Sequence, residues 1–377
     1  MIKNVTSIVI LSYNTLCMLK ICIESIRGFT ATGTYELIVV DNASHDGSVE
    51  WLKDQPDIKC IFNQENKGFP IGCNQGMEIA TGSEILLLNS DVIVTPRWLE
   101  QLKIALYSNE KIGAVSCLTN KCSNMQQIPV PYNTKDIDID GLMEFAEHFN
   151  HSDPSKWLPY YTLVGFCMLF KTSLYKEIGG LDEMFTPGNF EDDDYSIRIR
   201  MAGYQLLLCQ DTFIHHFGSG SFVNPTDIVE RMKKIDRYNA LLERNLNIFV
   251  NKWNVSRVYK ERDLDVDEIF NIVNGSSNVL LIGRYNIQDV INLMRNIGEI
   301  KWSYLTDSKF DNDITNGDFP IYYNENILAG ILEVKENFDY IIVSRKIVSD
   351  YPRNSLLVAI SKLVDTKRIV LQESAIV

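Results

Sequence analysis

Four groups of polar residues, each standing after an apolar run, have types and spacings that could do chemistry. Asp41 follows the run at 36–40 and can accept hydrogen bonds from a nucleobase or a ribose, while Asn42 and Ser44 can cap the helix that follows. DNASHDG reads equally well as a turn with an N-cap. Asn89, Ser90 and Asp91 end another apolar run, where a lone carboxylate can coordinate a divalent cation bridging two phosphates, or simply cap what comes next. Glu191, Asp192, Asp193 and Asp194 precede a helical pattern. They read either as a solvated first turn favoured by the helix dipole or as the supply of a general base for a hydroxyl. His215 and His216 follow a strand-like run, where either imidazole could complete a mixed histidine–carboxylate site with Asp91, or both could be structural.

No group decides the matter singly, and the elements that must position them carry more weight. Residues 7–11 and 36–40 are β-branched apolar runs with polar ends, as in buried parallel strands. Between them Leu16, Leu19, Ile23 and Ile26 recur at helical spacing, so the segment reads as a β-α-β unit opening a doubly wound α/β sheet. A helix at 47–53, a strand at 58–63, a helix at 71–80 and a strand at 84–88 extend it. Each strand ends in a polar cluster, Asn63 to Asn66 included. Ligands of open α/β sheets lie outside the carboxyl ends of the strands, so these clusters are expected to converge on one edge.

Residues 129–159, with IPVPYNTKDIDID and HSDPSKWLP, read as a long excursion or flap. Patterning resumes at Tyr161 and runs through a helix holding Ile197 and Ile199, a strand at 205–209 and a long amphipathic helix at 227–253. Two domains are expected, 1–260 and 265–377, the second a smaller Rossmann-like α/β domain with strands at 279–282 and 340–343.

A formal net charge of −13 argues against nucleic acid as a partner, because phosphate polymers are met by clustered Lys and Arg. A nucleotide must then be bound locally, with help from a cation. No stretch reaches the roughly 18 apolar residues of a spanning helix, and the first apolar run is too brief for a signal peptide. The eight cysteines are scattered without a CxxC pair, as expected of thiols in a reducing compartment. A cytoplasmic location is expected, with peripheral attachment to the inner face of a membrane left open.

In order along the chain, VILSYN, VVDNASHDGS, NQENKGFPIGCNQG, LLLNSDVIV, VGFCMLFKTSLYKEIGGLDEMF, FEDDDYSIRIRMAGY and IHHFGSGSF resemble family 2 glycosyltransferases, especially the rhamnosyltransferase-like branch that builds surface glycans. The resemblance spans residues 5–255. It implies a GT-A fold, a nucleotide-sugar donor, Mn2+ or Mg2+, and inversion at the anomeric carbon. Matched position by position, it places Ser12, Tyr13 and Asn14 in the nucleotide pocket, Asp41 and Asn42 at base or ribose, and Lys67, Gly68 and Asn74 near base and diphosphate. Asn89, Ser90 and Asp91 occupy the metal motif usually written DxD. Asn89 replaces its first carboxylate, which makes a histidine ligand more necessary; His215 aligns best, with His216 one residue away. In the EDxD stretch Asp192 matches the catalytic base. Gly165, Phe166 and Glu191 fall on the acceptor side.

The resemblance further suggests a UDP-sugar such as UDP-GlcNAc, with dTDP-rhamnose the main rival, and an acceptor hydroxyl on a surface glycan or on Ser/Thr of a protein such as flagellin. NVLLIGRYN and FDYIIVSRKIVS resemble sugar-linked methyltransferase domains, but Arg284 and Tyr285 stand where small residues would approach a cofactor, and Arg345 and Lys346 replace the expected acidic residues. A degenerate domain is therefore expected, used for packing, dimerisation or acceptor docking. Two competing readings are a catalytically inactive nucleotide-sugar binding module and a nucleotidyltransferase. The latter typically opens on a Gly-rich basic phosphate loop, which VILSYNT is not.

Overall fold

The computed structural model describes residues 2–124, 126–134, 136–218, 228–253, 277–283, 300–307, 320–344, 347, 350, 353–361, 363 and 369–371. The chain divides into two compact units, Met1–Phe249 and Val250–Val377. The division falls inside a long helix rather than after it at 260.

The first unit opens with β1 (Ile2–Ser12), α1 (Leu16–Phe29), β2 (Tyr35–Asp41), α2 (Ser48–Lys53), β3 (Ile58–Phe62), α3 (Phe69–Glu78) and β4 (Gly82–Asn89). These strands are parallel to one another. Alternate residues of β1 explain its continuous apolar run. Ile8 and Ile10 pack with Leu19, Cys22, Ile23 and Ile26 of α1, whereas Val9 packs with Cys73 and Met77 of α3. Both faces are buried, so no polar alternation survives. Helix α3 lies so close to the sheet that a Cβ on Gly72 or Gly76 would sit 2.2 Å from Leu11 or 2.4 Å from Val9.

The remainder is β5 (Val92–Ile93), α4 (Trp98–Leu106), β6 (Ile112–Leu118), α5 (Ile139–Phe149), β7 (Trp157–Tyr160), β8 (Cys167–Lys171), α6 (Thr172–Ile178), α7 (Glu191–Met201), β9 (Gln205–Phe213), β10 (His215–His216) and α8 (Ile228–Trp253). The sheet order is β3-β2-β1-β4-β8-β6-β9-β7. Strands β8 and β7 run antiparallel to their neighbours, so the α/β sheet is mixed. The expected excursion at 129–159 is not bare loop: Asp138 caps α5 by accepting from the Gly141 N–H at 2.9 Å, and β7 completes the sheet edge.

The second unit is an α/β domain with a five-stranded parallel sheet, β11 (Asn278–Ile282), β12 (Lys301–Thr306), β13 (Ile321–Tyr323), β14 (Tyr340–Val343) and β15 (Ile369–Leu371), in the order β13-β12-β11-β14-β15. Helix α9 (Ile327–Glu333) and helix α10 (Arg353–Ile360) cover one face through Ile327, Ile331 and Leu356. Arg284, Tyr285, Arg345 and Lys346 lie outside the described residues. Among the described residues no helix is long and apolar enough to cross a membrane.

Candidate active site

Strand register builds the first part of the site. Ser12 pairs with Asp41 and Leu11 with Asn89, so three polar strand ends share one edge. Ser12 Oγ, Thr15 Oγ1 and Ser90 Oγ form a hydroxyl chain in 3.1 Å steps, fixing the loop after β1 against the end of β4. Asp41 is fully buried; Oδ1 accepts from the Ser44 N–H at 2.9 Å, and Oδ2 has no hydrogen-bond partner. A buried acceptor left open costs about 1–3 kcal/mol. It is therefore a ready acceptor for an N–H or O–H supplied from outside the protein.

The neighbouring residues divide between open and occupied. Tyr13 is half-buried in the loop after β1. Asn14 is spent on the protein: its N–H donates to Ser44 Oγ at 2.9 Å and its Oδ1 accepts from the His45 N–H at 2.8 Å. Asn42 accepts from Asn63 Nδ2 at 2.7 Å and donates to Asn66 Oδ1 and the Gly68 carbonyl at 3.2 and 3.1 Å, which pins the β3–α3 loop. Gly68 has φ 82°, and a Cβ there would lie 2.7 Å from Pro187 Cα. Lys67, half-buried beside it, makes no hydrogen bond or ion pair among the described residues.

Asn74 does not join this group. Its amide donates to the Leu181 carbonyl at 2.9 Å and accepts from the Leu181 N–H at 2.8 Å, tying α3 to the loop after α6. An asparagine on the second turn of a helix gives no sequence signal of which neighbour it serves.

The second part is the end of β4. Pairing of β10 with β5 sets His216 opposite Val92 and His215 opposite Ile93. His216 Nε2 lies 3.2 Å from Asp91 Oδ1 and 3.3 Å from Asn89 Nδ2. His216 Nδ1 lies 2.8 Å from the Lys121 carbonyl, which can only accept, so Nδ1 carries a proton and Nε2 is the ring nitrogen that faces Asp91. Among the described residues no three His, Cys, Asp or Glu converge to hold a metal by themselves. Asp91 and His216 could offer a divalent cation one carboxylate and one imidazole, and other donors would be needed to complete its shell.

His215 faces the other way, and the preference for it as the ligand is corrected. Alternation along a strand sends successive side chains to opposite faces. His215 is buried with Nδ1 2.8 Å from Tyr132 Oη and the Phe217 ring edge-on at 5.1 Å. Burial pushes its imidazole down to about 4, leaving it neutral at physiological pH.

The third part is the start of α7. Asp192 Oδ2 accepts from the Gly165 N–H at 3.1 Å and Oδ1 from the Asp193 N–H at 2.9 Å, so the backbone sets the carboxylate's orientation. The next residue, Phe166, accepts from the Asn89 N–H at 2.9 Å and stacks on His216 with ring centroids 5.2 Å apart. Gly165 and Phe166 thus link Asp192 to the Asp91–His216 pair. Asp194 is instead structural, ion-paired to Arg198 at 2.9 Å.

Glu191 is buried with Oε2 lacking a hydrogen-bond partner, and burial, reinforced by the Asp192 charge, pushes its carboxyl well above the ordinary range. A carboxyl raised on folding contributes stability fully below its unfolded pKa, and loses it as pH rises toward the folded value. Glu191→Gln is therefore expected to be neutral near pH 4 and increasingly stabilising relative to wild type above about pH 5, at up to ~1.4 kcal/mol per pH unit. Urea unfolding of both proteins from pH 4 to 8 measures this, and parallel curves would refute it.

Several supporting residues had no sequence signal. Gln126 is buried, donates to Ser116 Oγ at 2.8 Å and accepts from the Val164 N–H at 2.8 Å, fixing the approach to Gly165. The Lys121 carbonyl sets the His216 tautomer, and backbone groups are invisible to a reading of side-chain types. Asn245 on α8 could have been noticed, since asparagine is a poor residue for a helix interior.

Residues 7–179 match the family model described as Glycosyl transferase family 2. Over those residues the first unit is thus similar to the glycosyltransferases of family 2. The chain is 28% identical over 224 residues to the uncharacterized protein y4gI of Sinorhizobium fredii, covering 57% of this chain and 24% of that protein. It is 25% identical over 270 residues to the low-salt glycan biosynthesis hexosyltransferase Agl10 of Haloferax volcanii, covering 66% of this chain and 84% of that one. A solved mannosyltransferase, PcManGT from Pyrobaculum calidifontis in complex with GDP-Man and Mn2+, superposes with a TM-score of 0.45 at 15% identity, covering 86% of this chain and 73% of that chain. The chain spans about a quarter to a third of the length of the first curated relatives it matches.

Proposed function

We propose that the first unit transfers a glycosyl group from a nucleoside diphosphate sugar to an acceptor hydroxyl, with inversion at the anomeric carbon. The observation that carries this reading is the link through Gly165 and Phe166, which joins a backbone-oriented carboxylate, Asp192, to the Asp91–His216 pair at the strand edge that also holds the open Asp41 oxygen.

In this reading Asp41 Oδ2 receives a donor from the base or ribose, with Ser12 and Tyr13 walling the pocket and Lys67 free to meet the diphosphate. Asp91 and His216 would hold Mn2+ or Mg2+, which would offset the charge that develops on the leaving diphosphate. Asp192 takes the proton of the acceptor hydroxyl. The oxygen of that hydroxyl forms its bond to the anomeric carbon as the bond to the diphosphate breaks on the opposite face. Glu191, whose carboxyl burial pushes well above the ordinary range, stands beside the base.

A UDP-sugar such as UDP-GlcNAc is the favoured donor, with dTDP-rhamnose the rival expected of the rhamnosyltransferase-like branch. The acceptor class is a surface-glycan hydroxyl or Ser/Thr of a protein such as flagellin, met in the cytoplasm or at the inner face of a membrane. The second unit is assigned packing, dimerisation or acceptor docking, as a degenerate methyltransferase-like domain; tight S-adenosylmethionine binding would overturn that assignment.

The test is a panel of UDP-, dTDP- and GDP-sugars with Mn2+, read by released nucleoside diphosphate and by thermal shift. One nucleotide class should raise the melting temperature and be hydrolysed or transferred, and Asp91→Ala should abolish both responses. Stabilisation by a donor without turnover, with a range of acceptor sugars present, would favour the inactive binding module.

A further inference from the structure

The turn at 185–190, which leads into Glu191 and Asp192, is unusual in its backbone. Gly188, Asn189 and Phe190 all have positive φ, at 150°, 76° and 74°. Glycine tolerates this; phenylalanine rarely does. A turn of this kind persists only where its surroundings over-determine it.

One face of α8 supplies that constraint. Asn245 is fully buried, and its Nδ2 donates to the carbonyls of Phe185, Gly188 and Asn189 at 2.7, 2.8 and 3.1 Å. Its Oδ1 accepts from Arg244 Nη1 at 2.8 Å, and the same Arg244 nitrogen donates to the Thr186 carbonyl at 2.9 Å. Tyr238 Oη donates to Asn189 Oδ1 at 3.3 Å, and the Phe249 ring meets the Phe190 ring at 5.6 Å. Residues 238, 245 and 249 are seven and four apart, so they share a helix face. On its far side the turn accepts from the Phe69 N–H through the Pro187 carbonyl at 2.8 Å, next to Gly68.

We propose that Asn245 is a positioning residue for Asp192: by holding three carbonyls of the turn it fixes where α7 begins, and so where the carboxylate lies relative to Gly165. The role rests on the reading of Asp192 as the general base. Because a misplacement of about 1 Å can cost roughly 10²-fold in rate, the effect falls on the chemical step. Donor binding, whose contacts at Asp41 and Asp91 are built at the strand ends, changes less.

Asn245→Leu removes the amide NH2 that serves all three carbonyls, at similar volume, and Asn245→Asp replaces it with an acceptor facing carbonyls. Each should lower kcat by roughly 10- to 100-fold while the dissociation constant of the nucleoside diphosphate with Mn2+ changes less than about threefold. If either variant fails to fold, Tyr238→Phe removes one bond at the exposed end of the clamp and should lower kcat about twofold to fivefold with the same split. Hydrogen exchange read on the peptide covering residues 186–194 should accelerate in every folded variant, even if wild type proves inactive, so failure of the transferase reading is distinguishable from failure of the clamp. Unchanged exchange and kcat, or kcat and donor affinity falling together, would overturn the proposal.

Discussion

Asp192→Asn is expected to lower kcat by roughly 10²- to 10⁴-fold, the range attributed to a general base, with little change in donor affinity or melting temperature. The amide keeps the carboxylate's shape and can still accept from the Gly165 N–H at 3.1 Å with its one oxygen. It cannot take a proton from the acceptor. Because Asp192 is half-buried rather than in the core, the substitution should fold normally. The contrast with Glu191→Gln is informative, since burial and then the Asp192 charge hold the Glu191 carboxyl well above the ordinary range and its amide should preserve most activity. Steady-state kinetics on both variants, with the identified donor and acceptor, measure the two effects. An Asp192→Asn protein of near wild-type kcat would remove the general base from this reading.

The second large effect separates two adjacent histidines. His216→Ala and Asp91→Ala should each weaken the Mn2+ dependence of donor binding by about 10- to 100-fold or more, by analogy with the losses seen even for outer-shell partners. His215→Ala should instead open a cavity among Tyr132 and Phe217 and lower stability by about 2–4 kcal/mol, leaving the Mn2+ midpoint unchanged in the folded protein. Mn2+ titrations of nucleoside diphosphate binding, paired with thermal melts, distinguish the cases. A metal phenotype in His215→Ala and none in His216→Ala would contradict the geometry at β10.

Much of the first unit is written in local sequence. The continuous apolar runs of β1 and β2 and the 3.6-residue spacing in α1 report burial that depends only on neighbours a turn or a strand away. The polar clusters that close β1, β2, β3 and β4 lie at strand ends as expected, because a parallel α/β sheet leaves its carboxyl edge open for ligands. Helix α5 and strand β7 were masked by the Pro and Asp content of 129–159, where turn-forming residues outvoted an amphipathic pattern.

Residue types and their spacing are enough to set the α/β class, the order of the motifs and the side chains available for a base, a cation and a nucleotide. Which of those residues share a space depends on the folded chain. His216 rather than His215 reaches Asp91 because a two-residue antiparallel pairing sets the facing, and strand pairing is not encoded in residue type. Asn74 serves a loop more than a hundred residues away, and Asn245 grips a turn some sixty residues before it. Both act by hydrogen bonds between segments that chain distance does not relate. Local propensity fixes elements; the contacts between elements that orient a carboxylate exist only once the chain has closed.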